Sequence, residues 1–147
     1  MDRHRCGREA WIVTTNGPLL LYDGICALCN GAVTFVLKRD RSRAVRFAPL
    51  RGETAASQLR DRHDLAGIDS MVWIDANGQA FTRSAAVLAV ARYLGGGWAA
   101  WAALARIVPL PVRDGLYTLV AHVRYRVFGR YDACPVPPQE YRDRFLP

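Results

Sequence analysis

Long apolar segments are missing from this sequence of 147 residues. Its longest apolar stretch, 98–105, ends at Arg106 and falls well short of the roughly 20 residues that cross a bilayer. The segment 1–10 is polar and charged, and the apolar residues 11–13 are too few to form the core of a signal peptide. We therefore expect a cytoplasmic protein with no integral membrane segment.

Acidic side chains are also few, because 13 Asp and Glu stand against 20 Lys and Arg, for a formal net charge of +7. Such an excess favours anionic partners through long-range attraction. The arginines are spread along the chain, however, and the densest basic run, 38–43, is typical of a solvated helix end. Basic residues interleaved with aromatic ones, a mark of nucleic-acid binding, are missing. We therefore expect no nucleic-acid partner.

Residues that bind metals are scarce as well, with four cysteines and three histidines. Cys26 and Cys29 could supply half of a zinc site, but structural zinc takes four ligands, typically in two close pairs. No second Cys-x-x-Cys exists, and an iron–sulfur cluster would need a third cysteine nearby. The remaining candidates are scattered over the chain: His4, Cys6, His63, His122 and Cys134. A zinc site is the weaker alternative, and we expect no metal and no other cofactor.

Short apolar segments of the sequence predict an α/β fold. An apolar run at 19–22 predicts a strand covered on both faces, and the spacing of apolar residues from Cys26 onward predicts a helix. A strand over 44–48 and a helix over 53–63 are predicted next, followed by a hairpin of the strands 70–75 and 79–82. A further helix is predicted over 84–94, capped by Ser84 and ended by the three glycines 95–97. The hairpin turn at Asn77-Gly78 is a strong signal, because both of its central residues need positive φ. The order β-α-β-α-β-β-α matches the thioredoxin-like pattern.

Two more helices are predicted beyond this core, over 98–108 and from Pro111 to Phe128. Tryptophan and leucine recur at helical spacing in both, and such stripes are more often core than surface. We therefore expect the two helices to bury one stripe against the other. The stripes are Trp101, Leu104 and Ala105 in the first helix and Leu116, Leu119 and Val120 in the second. The less favoured alternative is a non-catalytic binding module whose basic helical surface contacts an anionic membrane.

We divide the chain into an arm and one domain. Residues 1–17 show no strong pattern and are interpreted as a loose N-terminal arm. Residues 18–147 form the domain, with an α/β core at 18–97, an added helical pair at 98–130 and a tail at 131–147. The tail carries apolar residues that predict its packing onto the body: Pro137, Pro138, Tyr141 and Phe145.

The segment around the cysteine pair resembles the signature of a known family. Asp23-Gly24-x-Cys26-x-Leu28-Cys29-Asn30 is similar to the motif of the DCC family, which is named for its Asp and two Cys and is classed as thiol-disulfide oxidoreductases. Other segments fit the same family: 46–50, 69–72, Arg83-Ser84, Gly129-Arg130 and 132–134. The resemblance covers the chain from residue 18 to the C-terminus. It implies a thioredoxin-like fold and exchange with thiols or disulfides of proteins or small molecules, and it names no substrate.

The cysteine pair lies where a strand gives way to a helix, which suits thiol–disulfide exchange. The attacking group in that reaction is a thiolate, and a thiol pKa near 8.5 falls to about 3.5–7.5 at helix N-termini and in Cys-x-x-Cys pairs. Cys26 lies at the first helical turn, so we assign it as the nucleophile. Cys29 lies almost one turn further on and is expected to be more inward, so we assign it as the resolving thiol.

Asp23, the third member of the motif, is our third catalytic candidate. It either accepts a proton from Cys29 or orders the loop, and the family resemblance favours such a role over that of an ordinary turn residue. Three further residues are candidates for supporting roles. Gly24 allows a tight turn or a close backbone approach. Ser70 stands where thioredoxin-like proteins usually carry a cis-proline facing the cysteines, and this chain has no proline there. Cys134, in a turn after the last helix, is either a third redox thiol or a small buried anchor of the tail.

Overall fold

A computed structural model describes residues 17–65, 67–132 and 135–147. These residues form four strands, five α-helices and two short 3₁₀ helices. The strands are β1 (Leu19–Tyr22), β2 (Arg46–Pro49), β3 (Val72–Ile74) and β4 (Ala80–Thr82). The α-helices are α1 (Ala27–Arg39), α2 (Glu53–Leu59), α3 (Arg83–Leu94), α4 (Gly96–Ala105) and α5 (Leu110–Val127). The 3₁₀ helices are His63–Leu65 and Gln139–Arg144.

The four strands form one mixed sheet in the order β2-β1-β3-β4. β1 runs parallel to β2 and antiparallel to β3, and β3 forms an antiparallel hairpin with β4. The hairpin turn contains Gly78 at φ +83°, as the Asn77-Gly78 signal predicts. α1 makes the crossover connection that two parallel neighbours require. The observed order of elements confirms the predicted thioredoxin-like α/β fold.

β1 lies inside the sheet and is buried along its whole length. Its side chains point alternately to the two faces, as in any strand. Leu20 and Tyr22 pack in a core with residues of α1 and α3, whereas Leu19 and Leu21 pack in a second core that includes Ala55 of α2. Helices therefore cover both faces of the sheet, which explains the continuous apolar run at β1.

Two predicted helix boundaries differ from the structure. The helix expected to reach His63 ends at Leu59, because the polar residues that follow offer no apolar side chain to the core. The glycines at 95–97 were expected to end a helix together. Gly95, at φ +73°, ends α3, but Gly96 already begins α4. A single left-handed glycine is thus enough to separate two helices.

The expected cap of α3 is replaced by a contact between helices. Ser84 is predicted to cap the helix, but α3 begins one residue earlier and follows Thr82. The Ser84 hydroxyl instead donates a hydrogen bond to the carboxylate of Asp114 in α5. A polar contact that local sequence does not indicate therefore attaches α5 to α3.

The helices α4 and α5 do not bury the stripes that the sequence predicts as core. The exposed fractions are 48% for Trp101, 67% for Leu104, 59% for Leu116, 60% for Leu119 and 43% for Val120. Ala105 alone among the six is half-buried. Both helices pack mainly against α3 rather than against each other. The two apolar stripes therefore do not pack together, and the prediction of a buried interface is wrong. Among the described residues, no helix combines the length and apolar character needed to span a membrane.

The described part of the tail is pinned onto the body, which confirms that prediction. Arg144 forms a buried ion pair with Asp40 at 2.6 Å and donates a hydrogen bond to the carbonyl of Val45 at 3.1 Å. The ring of Phe145 stacks on Phe47 with the ring centroids 5.3 Å apart. The tail therefore closes the core beside β2.

Candidate redox site

The redox loop, residues 23–29, joins the end of β1 to α1. Cys26 is the N-cap of α1, and its Sγ accepts a hydrogen bond from the backbone N–H of Cys29 at 3.4 Å. The side-chain amide of Asn30 donates to the carbonyls of Gly24 and Cys26 at 2.8 and 2.9 Å. These hydrogen bonds fix the redox loop to the first turn of α1. One of them directs a backbone N–H at the helix start toward the Cys26 sulfur.

The carboxylate of Asp23 is attached to α5 rather than to a cysteine. Its Oδ1 accepts the N–H of Ile25 at 3.2 Å. Its Oδ2 accepts hydrogen bonds from Arg124 at 3.2 Å and from the Tyr125 hydroxyl. Among the hydrogen bonds between described residues, none joins this carboxylate to Cys29. The geometry therefore favours the loop-ordering role for Asp23 over the proton-accepting one.

Arg124 connects the redox loop to the segment before β3. Its side chain is 6% exposed and forms ion pairs with Asp23 and Asp69, each at 3.2 Å. It also donates to the carbonyl of Asp69 at 3.4 Å. Two turns earlier in α5, the Tyr117 hydroxyl accepts the N–H of Met71 at 3.0 Å. α5 therefore holds two sides of the site with one buried and one half-buried polar side chain.

Ser70 lies in the segment that α5 holds. It is buried, and its hydroxyl has no hydrogen-bond partner within the part of the chain that the structure describes. The same part of the chain contains no cis peptide bond. The neighbouring N–H of Met71 already donates to Tyr117, so this amide is not free to bind a substrate backbone. The structure thus places Ser70 beside the site, and its hydroxyl makes no hydrogen bond to Cys26 or Cys29.

Residues 129–131, the cover segment, lie across the redox loop. Cys26 and Arg130 form an isolated antiparallel bridge, flanked by backbone hydrogen bonds of 3.3 and 2.8 Å. Gly129, at φ +90°, makes the turn into the segment in a conformation that favours glycine. Cys26 is consequently fully buried, whereas Cys29 is partly exposed. The expectation that Cys29 is the more inward thiol is therefore wrong, because distant residues cover Cys26.

The electrostatic surroundings of Cys29 keep it protonated. Burial, followed by the hydrogen bond and the charge of Cys26, raises the pKa of Cys29 to about 12. Arg124 and a backbone hydrogen bond with Asp23 act in the opposite direction without outweighing burial. At neutral pH Cys29 is therefore a thiol rather than a thiolate, and a poor attacking group.

An open pocket of about 520 Å³ lies beside the redox loop. One wall is formed by residues 23–25 of the loop. The other walls come from residues 49–52, at the end of β2, and from residues 67–69, before β3. Charged side chains of Arg51 and Asp69 accompany apolar ones in this lining, so the pocket can receive a ligand of mixed polarity next to the cysteine pair.

Some predicted residues fall outside this description. Cys134 and the arm residues 1–16 lie outside the described residues, so their roles stay predictions. Within the described ranges, Cys26 and Cys29 are both free cysteines. No group of three or more His, Cys, Asp or Glu in those ranges lies close enough together to hold a metal ion.

Comparison with known proteins points to the same chemistry. Residues 20–130 match the family of DCC1-like thiol-disulfide oxidoreductases. The chain belongs to the DCC family. The uncharacterized protein YuxK of Bacillus subtilis is 42% identical over 135 residues, which cover 88% of this chain and 93% of YuxK. A DCC family protein of Arabidopsis thaliana, described as chloroplastic, is 40% identical over 118 residues, 80% of this chain and 68% of the relative. No solved structure matches the chain significantly.

The DCC motif identifies the redox loop in the sequence, but it does not identify the partners that α5 supplies. Tyr117 and Arg124 are seven residues apart, so they lie on one side of the helix two turns from each other. No local pattern in the sequence marks these two residues, because their partners Met71 and Asp23 lie far away in the chain. The motif segment Gly129-Arg130 also matches the DCC pattern, and the structure now shows it as the cover of Cys26.

Proposed function

We propose that this protein catalyses thiol–disulfide exchange through Cys26 and Cys29. The Cys26 thiolate attacks one sulfur of a substrate disulfide, forms a mixed disulfide and releases the other substrate sulfur as a thiolate. Cys29 then loses its proton and attacks the Sγ of Cys26, which releases the second substrate thiolate. The cysteine pair ends oxidised, the substrate ends reduced by two electrons, and each step is reversible.

The placement of Cys26 at the N-cap of α1 is the observation that carries this proposal. Its Sγ accepts the Cys29 N–H at 3.4 Å, and the dipole of the helix favours a negative charge at this end. Cys29, whose pKa is raised to about 12, stays protonated while Cys26 awaits a substrate. We therefore assign attack to Cys26 and resolution to Cys29.

Arg124 is proposed as a positioning residue for the resolving step, with Asp23 as its anchor. The charge of Arg124 lowers the pKa of Cys29 against the effect of burial. The ion pair with Asp23 keeps that charge beside the redox loop. Once Cys26 is bound in a mixed disulfide, its own charge no longer raises the pKa of Cys29. The resolving thiolate is therefore easier to form at the moment when it is needed.

The substrate is proposed to be a protein or small-molecule disulfide that enters through the pocket beside residues 23–25. A reducing, cytoplasmic setting fits this function, since a second thiol donor there restores the reduced pair. The expected reduction potential of the pair is then about −220 to −320 mV, the range found for the cytosolic glutathione pool by different methods. Equilibration with glutathione or dithiothreitol buffers measures it, and a far more oxidising value would contradict a cytoplasmic reductant.

Trapping of a mixed disulfide tests the two roles. In a background with Cys6 and Cys134 replaced by serine, Cys29→Ser should accumulate an adduct with glutathione disulfide, because no resolving thiol remains. Cys26→Ser should accumulate far less, since burial, the largest cause of the raised Cys29 pKa, persists in this variant. Intact-mass spectrometry measures both adducts. Faster accumulation on Cys26→Ser would reverse the roles, and no adduct on either variant would contradict exchange at this site.

A further inference from the structure

We propose that α4 and α5 dock onto an anionic lipid surface and insert the apolar tip between them, residues 107–112, into the membrane interface. This inference does not depend on the redox function. The tip carries four large apolar side chains, all of them exposed: Ile107, Val108, Leu110 and Val112. At 79%, Ile107 is the most exposed large hydrophobic side chain of the described residues.

Exposed apolar side chains also occur on both helices that flank the tip. α4 has ten residues, none of them charged, and Ala102 is its single buried residue. A helix that is apolar all round is normally enclosed in a protein core or in a membrane. Here Trp101 and Leu104 are exposed on α4, and Leu116 and Leu119 are exposed at the same three-residue spacing on α5. Large exposed apolar patches of this kind mark interaction sites.

The charges around the tip favour a negatively charged lipid surface as the occupant. Arg106 and Arg113 stand at the two ends of the tip. Asp114 is the one acidic residue in the sequence 96–130, which contains five arginines, and its carboxylate is already bonded to the Ser84 hydroxyl. Tryptophan and leucine flanked by arginine are typical of helices that lie in a membrane interface. A second copy of the chain would instead bring a net charge of +7 against another +7.

The exposure and the length of the two helices agree with docking at the membrane surface rather than with crossing it. Among the described residues, nothing covers the exposed face, and none of their helices can span a bilayer. The tip would therefore enter the boundary between headgroups and acyl chains, about 5–10 Å deep. α5 also carries Arg124 and Tyr125 to the redox loop, so one helix joins the docked surface to the cysteine pair.

Co-sedimentation of the full chain with lipid vesicles tests the proposal. We expect binding to vesicles of phosphatidylcholine with phosphatidylglycerol and much weaker binding to phosphatidylcholine alone. Binding should fall as salt rises from 0.1 M to 1 M, because the Debye length shortens from about 10 Å to about 3 Å. Ile107→Asp should weaken binding about tenfold or more, since it removes an apolar side chain from the interface and adds a negative charge.

Val136→Asp is the matched control. Val136 is 76% exposed, almost as much as Ile107, but it lies in the tail. The same loss of an apolar side chain and the same added charge should therefore change vesicle binding by less than about twofold, as for a surface site away from the contact. Circular dichroism checks that both variants fold. Wild-type tryptophan emission, to which the exposed Trp101 contributes, should shift to shorter wavelength with anionic vesicles, and this readout needs no variant.

Several results would overturn the proposal. They are no binding to anionic vesicles, equal binding to neutral and anionic vesicles, and equal loss of binding in Ile107→Asp and Val136→Asp. Light scattering that shows a wild-type dimer and an Ile107→Asp monomer would overturn it as well, because it would assign the apolar face to a second copy of the chain.

Discussion

The sheet core and the α4–α5 pair differ in how far their apolar side chains are buried. In the core, β1 is buried on both faces, and even the ion pair of Asp40 and Arg144 is enclosed. In the helical pair, the uncharged helix α4 leaves all but one of its residues at least partly exposed. The difference shows that apolar composition leads to burial only where a neighbouring element supplies a matching face. α3 is that neighbour for part of α4 and α5, and their remaining surface has none among the described residues.

The largest loss of stability is expected when the buried carboxylate of Asp40 in the core loses its charge. Burial alone would raise the pKa of Asp40, but hydrogen bonds from Val45, Ser42 and Tyr93 and the charge of Arg144 hold that pKa below its ordinary value. Asp40→Asn leaves the Arg144 guanidinium buried without its counter-charge. The free energy of unfolding should fall by about 3–5 kcal/mol, which chemical denaturation at neutral pH measures.

Glu140→Gln is the control for this change, because Glu140 is an exposed carboxylate of the same tail and its loss should cost less than about 0.5 kcal/mol. The pH dependence provides a second check. Since folding lowers the pKa of Asp40, its ionised form stabilises the protein above the unfolded pKa of about 3.9, and this stabilisation is lost as the pH falls through the folded pKa. The gap between wild type and Asp40→Asn should narrow in acid. A gap that stays constant down to acid pH would contradict the role of the ionised pair.

A matched pair of leucine truncations compares the two regions directly. Leu20 of β1 is 1% exposed, and Leu104 of α4 is 67% exposed. Leu20→Ala should cost about 2–5 kcal/mol, because it removes buried methyl groups and leaves a cavity. Leu104→Ala should change the free energy of unfolding by less than about 0.5 kcal/mol. Equal costs at the two sites, measured by thermal and chemical denaturation, would show that the face of α4 is covered in solution.

The cover of Cys26 can be loosened by one change in the backbone. Gly129 has φ +90°, and a Cβ there would meet no neighbouring atom, so Gly129→Ala adds conformational strain without a clash. A strain of about 1–2 kcal/mol should raise the open population, and with it the alkylation rate of Cys26, about five- to thirtyfold.

Gly115→Ala separates strain from a general effect of alanine. Gly115 lies within α5, and a Cβ there also meets open space. This substitution should stabilise the protein by about 0.4–1 kcal/mol and should leave the alkylation rate of Cys26 unchanged. Similar rates for the two alanine variants would mean that the segment 129–131 does not limit access to the thiol.

The smallest effect is expected from substitutions of two arginines on opposite sides of α5. Arg124 is buried against the redox loop and Arg126 is exposed. Because the charge of Arg124 lowers the pKa of Cys29, Arg124→Gln should raise that pKa further and lengthen the life of a mixed disulfide on Cys26, by about two- to tenfold. Arg126→Gln should leave the lifetime unchanged. Mass spectrometry of the glutathione adduct over time measures both, and equal lifetimes would remove Arg124 from the resolving step.

Local patterns in the sequence predict the sheet and the redox loop well. The apolar run of β1, the turn at Asn77-Gly78 and the Cys-x-x-Cys at the helix start each depend on residues close in the chain. The ion pair of Arg124 with Asp23 and the bridge of Arg130 with Cys26 depend on residues far apart, and no periodicity indicates them. The helical pair is mispredicted for a different reason, since spacing reveals a stripe but not whether another element covers it.

The ion pair between α5 and the redox loop can form only late in the synthesis of the chain. Arg124 and Asp23 are 101 residues apart in the chain. At about 5–20 residues per second, the ribosome takes about 5–20 seconds to add the residues between them. During that interval the nascent Cys26 has neither the bridge of Arg130 over it nor the paired arginine beside its loop. A new copy of this protein therefore presents an unprotected cysteine pair to the cell before translation has finished.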